Sequence, residues 1–336
     1  MEDARPGNST RFYELYYRFC RDWRLYNSIA EIASSMGLSR PTFYSLIKRA
    51  RDAGYNLVLV PNTIAIKYNL VRIRLPKLIA SHLHISRAGS SLIELNTGDL
   101  FTWFYAPTTL TEKGIIDLMI EDEHLTASYE IHGVICKGPG DTATLVPPPE
   151  FRGQARAEEL ALIAYLANRY VFPRELGREI GIPWQYLTSL YNSIKSKGLA
   201  VAIALTLNPA SSTGRSASAV FVELTTNRMP LPKELAARTL DYPIVARDIK
   251  RRLYTTWFTT TPEKLASLRE AEVEGLLTFE IIDVSVFRER PSPPFTGLPE
   301  LKPEIIPLIL TARGRASRRA YTSVYGEYSP NPELSR

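Results

Sequence analysis

Only two of the 336 residues are cysteine, Cys20 and Cys136, and no pairing pattern links them. So few cysteines argue against a disulfide framework and against the Cys-His spacing of a structural zinc site. No apolar run approaches the ~18 residues needed to span a bilayer, and the N-terminal stretch MEDARPGNSTRFYEL has no signal-peptide h-region. These absences predict a cytoplasmic protein with no membrane contact. The motifs GxGxxG, GxxxxGKS/T and GxSxG are also missing, which removes glycine-rich phosphate cradles and the serine nucleophile elbow. Nor does one sign of charge dominate, since 41 Lys and Arg against 35 Asp and Glu leave a net charge of +6.

What is present is an ordinary globular composition, 45% hydrophobic, on a chain long enough for two or more cores. The charge is unevenly spread. Residues 1–68 carry +4, 69–150 carry −4, 151–213 carry +3, 214–290 carry +1 and 291–336 carry +2. Positive charge therefore follows two segments that share another property, the spacing of a helix-turn-helix.

The first is SIAEIASSMGLSRPTFYSLIKRARDAG, Ser28 to Gly54. Ile29, Ile32 and Ala33 lie on one helical face, Gly37 and Leu38 make a turn, and Phe43, Leu46, Ile47 and Ala50 form the inner face of a second helix. Ser39 is placed to cap that helix, Pro41 sits in its first turn and Gly54 follows its last. Ahead of it, STRFYELYYRFCRDW predicts an amphipathic helix with Phe12, Leu15, Tyr16, Phe19 and Cys20 inward. Behind it, YNLVLVPNTIAIKYNL reads as a wing hairpin about Pro61-Asn62.

From Asn69 the pattern turns to alternation. NLVRIRL is a strand, PKLIASHLHIS a short crossing, and LIELNTGDLFTWFYAP two strands about an Asn96-Thr97-Gly98-Asp99 turn. TLTEKGIIDLMIEDE is a helix and LTASYEIHGVICKG a closing strand, giving the order β-α-β-β-α-β. A Gly- and Pro-rich stretch ends this unit near residue 150. The same elements then return: Gly37 matches Gly181, Leu38 Ile182, Phe43 Leu187, Leu46 Leu190 and Gly54 Gly198, each 144 residues on. LYTTWF of the second half parallels LFTWF of the first. The predicted fold class is α+β, two copies of a winged helix-turn-helix followed by a ferredoxin-like unit. The predicted boundaries are 1–68, 69–150, 151–213 and 214–290, with 291–336 a basic C-terminal tail that carries Arg313, Arg315, Arg318 and Arg319.

This layout resembles the Lrp/AsnC (feast/famine) family of bacterial and archaeal transcription regulators. The resemblance rests on SIAEIASSMGLSRPTFYSLIKRARDAG and on LIELNTGDLFTWFYAP, and it covers nearly all of residues 10–290, twice over. It implies binding of double-stranded DNA, association through the sheet domains and an amino-acid-like effector bound between them. Independently of the resemblance, no resident cofactor or metal is expected. Family members usually carry one such unit per chain, so here the family's dimer is expected within one polypeptide. No residue matches an effector signature, and none is carried over.

In a winged helix the second helix enters the major groove. In the first copy that makes Ser39, Arg40, Thr42, Tyr44, Ser45 and Lys48 candidates for base edges, with Arg49 and Arg51 on phosphate. In the second copy the candidates are Trp184, Gln185, Thr188, Ser189, Asn192 and Lys195, a less basic set. Apart from Ser45 and Ser189 the two sets differ, so an asymmetric site is expected, with half-sites roughly 34 Å apart if both bind.

All four histidines, His82, His84, His124 and His132, fall in the first sheet unit. His82-x-His84 on one strand face and His132 with Cys136 on another make a metal site conceivable, although scattered histidines are more often ordinary surface or core residues. Sirohaem decarboxylases resemble the same family, pair the same two kinds of unit and are enzymes without DNA binding. Against that alternative, the second sheet unit has no histidine and the first helix-turn-helix keeps a basic outer face. A third reading, a protein-binding adaptor with winged helices as scaffold, predicts no salt-sensitive DNA affinity.

Overall fold

A computed structural model describes residues 6–26, 28–76, 92–95, 99–108, 126–140, 142–207, 220–264, 266, 278–282 and 284–288. The crossing PKLIASHLHIS after its Pro76, the helix TLTEKGIIDLMIEDE, the turn at 96–98, three of the histidines and the tail lie outside these residues. The described chain is α+β, with helices and antiparallel sheets.

Helix α1 spans Pro6–Asp22, and its predicted inner residues Phe12, Leu15, Tyr16, Phe19 and Cys20 are all buried. Helices α2 (Ile29–Ser35) and α3 (Arg40–Asp52) follow, each started by a serine. The Ser28 hydroxyl accepts from Glu31 N at 3.2 Å and the Ser39 hydroxyl from Thr42 N at 3.4 Å, covering amide groups that a helix start leaves bare. Phe43, Leu46, Ile47 and Ala50 are buried, and each large side chain among them contributes about 1.5–3 kcal/mol on removal from water. In the second half α5 (Ala157–Asn168), α6 (Pro173–Ile180) and α7 (Trp184–Lys197) repeat the arrangement. Gly37 and Gly181, 144 residues apart, both turn the chain at positive φ, +62° and +69°, where a side chain is strained.

The wing hairpin does not form. Strand β1 (Tyr55–Pro61) leads into one turn of helix, α4 (Thr63–Ile66), and its partner is β7 (Ala200–Leu207), the matching strand of the second half. Tyr55 pairs with Leu207 and Leu57 with Leu205, so an antiparallel ribbon joins the two helical units. Pro61-Asn62 is the junction that permits this. The buried Asn62 carboxamide accepts from Ala65 N to start α4 and donates to Pro149 O at 3.1 Å and to Gly198 O at 2.9 Å. One side chain thus ties three segments together.

The remaining strands form one sheet. In the first half these are β2 (Tyr68–Pro76), β3 (Leu92–Leu95), β4 (Asp99–Pro107), β5 (Thr126–Lys137) and β6 (Ala143–Val146). The second half has β8 (Val220–Thr226), helix α8 (Pro232–Arg238), β9 (Ile244–Asp248), β10 (Tyr254–Thr260), β11 (Thr278–Ile282) and β12 (Val284–Arg288). The order is β11-β8-β10-β9-β5-β2-β4-β3-β12, with β6 against the end of β5. Each half exchanges its last strand. β5 pairs with β2 of its own half through Thr126–Tyr129 and then with β9 through Tyr129–Val134. β11 pairs with β8 of its own half, and β12, beginning two residues after β11 ends, pairs with β3 of the other. The sheet order therefore returns to where it began, and neither half closes without its counterpart.

The cysteines also depart from expectation. Cys20 of α1 and Cys136 of β5 are joined as a disulfide across 116 residues, both fully buried. A disulfide needs two Cβ atoms brought within about 4 Å, a condition set by packing and not by sequence spacing. Because disulfides persist mainly in oxidising compartments, and in the cytosol of some hyperthermophiles, the cytoplasmic expectation loses the support it drew from cysteine usage. Among the described residues no helix is long and apolar enough to cross a membrane.

Candidate functional site

The outer face of α3 is built by period. With Phe43, Leu46, Ile47 and Ala50 inward, Arg40, Tyr44, Lys48 and Arg51 at i, i+4, i+8 and i+11 form an exposed stripe beside them, with Ser45 and Arg49 farther round the helix. All six are exposed, Tyr44 to 57%. None of the four cations makes an ion pair among the described residues, and Asp52 is the helix's sole acid, at its last position. Ser39 and Thr42 are exposed as well, but their hydroxyls bond each other at 2.8 Å as part of the cap. All eight candidates of the first copy are thus exposed.

The second copy is different, and its cations show why. Lys195 does not face solvent with its neighbours. Its ammonium donates to the Tyr26 carbonyl and lies 5.8 Å from the centre of the Trp23 ring, and burial holds its pKa down to about 8. Lys197 is turned inward too, bonding both oxygens of Glu159 at 2.9 and 3.0 Å. Glu159 is fully buried at the start of α5, where desolvation opposes ionisation but donors from Arg156, Ser193 and Lys197 outweigh it and hold the pKa low. Trp184, Gln185, Ser189 and Asn192 are exposed, Trp184 to 48%, whereas Thr188 is partly buried and donates to the Trp184 carbonyl at 2.9 Å. The candidate surface on α7 is therefore neutral, and Lys195 is not part of it.

A second concentration of polar and aromatic groups lies where the two halves meet. Trp103 of β4 and Trp257 of β10 occupy equivalent places in their halves, and their rings meet edge to face at 6.1 Å. Arg72 is the cross-strand partner of Trp103, and Glu223 that of Trp257. These two form a buried ion pair at 3.6 Å, and the Trp257 indole donates to Glu223 at 2.7 Å. Beside them a cavity of about 60 Å³ is lined in part by Trp103, Trp257 and Asp241. Asp241 is buried, and desolvation pushes its pKa up to about 7 against the bonds it accepts from Thr259 N, at 2.9 Å, and Leu207 N.

An aspartate held protonated when folded and ionised when unfolded favours folding less as pH rises. Stability should fall between about pH 4 and pH 7, by up to about 4 kcal/mol, and level off above. Urea unfolding at pH 4.5, 6 and 7.5 measures this fall, and Asp241→Asn should flatten it; an equal slope in the variant would assign the effect to other groups.

No family model, no curated protein and no solved structure matches the chain.

For metals, no group of three or more histidine, cysteine, aspartate or glutamate residues comes together among the described residues. His132 and Cys136 do not form a pair of ligands, because Cys136 is bonded to Cys20. A break in the β5–β9 register between Ile131 and Gly133 interrupts the alternation between them. His132 lies edge to face with Tyr254 at 5.4 Å, its pKa lowered by burial and by Arg247.

Proposed function

We propose that this chain is a double-stranded-DNA-binding regulator of Lrp/AsnC type, in which α2–α3 is a helix-turn-helix and α3 enters the major groove. The observation that carries the proposal is the outer face of α3, four exposed cations with no ion pair among the described residues and no acid before Asp52. Arg40, at the N-terminal end, is placed for a base edge, and Arg49 and Arg51 for phosphate. The strand orders support the family reading. Numbered within each half, β5-β2-β4-β3 and β11-β8-β10-β9 are both 4-1-3-2, the order of a ferredoxin-like sheet. The reciprocal strand exchange corresponds to the family's dimer built into one polypeptide.

In this reading α7 is a structural counterpart, since Lys195 and Lys197 are engaged inside the fold. DNA contact is asymmetric and one-sided. The regulator needs no cofactor, and its effector is a small metabolite.

Titration into labelled duplex from the gene's own upstream region, and into random duplex, tests the proposal. Arg40→Ala/Lys48→Ala should weaken binding by about tenfold or more and reduce the slope of log affinity against log salt by about one to two. Gln185→Ala/Asn192→Ala should leave affinity within about twofold of the parent. Absence of salt-sensitive binding, or equal affinity in the Arg40/Lys48 variant, would remove the reading.

A further inference from the structure

A cavity of about 290 Å³ lies between the two helical units, near the size at which small-molecule sites begin. The last turn of α3 and the start of β1 supply Arg51, Tyr55 and Asn56, and α1 supplies Tyr16. The second half closes it with Arg169 and Tyr170, which follow α5. The ribbon partners Leu57 and Leu205 line it from below. Two guanidinium groups and three phenol rings thus border a space with an apolar floor.

The repeat provides an internal comparison. Residues 144 positions on from Ala50, Arg51, Asn56 and Leu57 are Ile194, Lys195, Ala200 and Val201, and Tyr26 stands to them as Tyr170 does to the first set. At this equivalent place the space is occupied. The Lys195 ammonium reaches the Tyr26 carbonyl, the Trp23 indole donates to Val201 O at 3.1 Å, and the Arg24 guanidinium donates to Ala200 O at 3.4 Å. In the first copy the smaller Ala50 replaces isoleucine, and Arg51 makes no ion pair among the described residues. Arg169 is paired with Glu179 at 2.8 Å, so the charge left uncompensated at the cavity is the positive one of Arg51.

We propose that this cavity is a binding site for a small monocarboxylate with an aromatic or branched apolar body. Its carboxylate pairs with the Arg51 guanidinium, whose planar fork suits two carboxylate oxygens, with Arg169 at the opposite wall. Its body lies against Tyr16, Tyr170 and the leucine floor. Binding itself is independent of the DNA reading; only its meaning as regulation rests on that reading, because Arg51 belongs to both the cavity and the α3 face.

Calorimetric titration of the intact chain, without DNA, tests the site with phenylacetate as probe. Phenylacetate should bind saturably at one site per chain. Neutral phenylacetamide and inorganic phosphate, each lacking half of the recognised chemistry, should bind at least about tenfold more weakly. Arg51→Gln should lose about tenfold or more, and Ala50→Ile, which copies the occupied counterpart, should abolish binding. Arg51 is exposed, so its variant retains the fold even where the Ala50 variant does not, and the thermal unfolding of each variant identifies such a case. Absence of saturable phenylacetate binding, equal binding of the amide, tighter binding of phosphate or full binding by Arg51→Gln would each overturn the proposal. None of these outcomes bears on DNA affinity, which the duplex titration measures separately.

Discussion

Replacing Cys20 and Cys136 by serine is expected to lower the free energy of unfolding by about 3–5 kcal/mol, a large share of what holds a domain together. The bond closes a loop between positions 116 residues apart, and a long loop restricts the unfolded chain strongly. It also joins α1, the helix beneath α3, to β5, the strand that passes from the first half's sheet to the second's. Losing it should therefore loosen the α3 platform relative to the sheet as well as destabilise the whole. Guanidinium unfolding of the double-serine variant beside the oxidised parent measures the first effect. Hydrogen exchange in α1 and α2 measures the second. A loss below about 1 kcal/mol would mean that packing alone keeps the two elements together.

Arg72→Met is expected to cost a comparable amount, about 3–5 kcal/mol, because it leaves Glu223 buried without its cation. Arg72→Met/Glu223→Met should recover most of that loss, since replacing both charges removes the desolvation cost along with the attraction. A double-mutant cycle by chemical denaturation isolates the coupling. If the single variant matches the parent within about 1 kcal/mol, the pair contributes little to holding the halves together.

The pair also bears on why the units are fused. Arg72 and Glu223 occupy equivalent strand positions opposite equivalent tryptophans. Two identical first halves would set arginine against arginine there, and two identical second halves glutamate against glutamate. Buried like charges are strongly unfavourable, so this contact favours the mixed pairing that one chain supplies.

Much of this was open to a reading of the sequence alone. The helical period placed Phe43, Leu46, Ile47 and Ala50 inward and Arg40, Tyr44 and Lys48 outward, because burial of one face of a helix is decided by local spacing. The 144-residue offset of Gly37 and Gly181 announced the repeat, and both glycines occupy the same left-handed turn. The Ser39 cap and the alternating strands were equally local signals, since each depends on residues within a few positions.

The points that differed all involve distant partners. Pro61-Asn62 has the composition of a hairpin turn, but β1 pairs with β7 of the second half, and Asn62 finds the Pro149 and Gly198 carbonyls. Lys195 has the right position for an outward face, yet a long flexible side chain reaches back to Tyr26 and Trp23 of the other half. Arg169 gave no functional signal by itself, and only comparison of Arg51 with Lys195 across the repeat would have drawn attention to that wall. The sequence by itself determined the elements, their buried faces and the duplication, all of which follow from short-range periodicity. Tertiary structure alone decided which half completes the other, where the cysteines meet and where Lys195 turns, because these depend on contacts between residues more than a hundred positions apart.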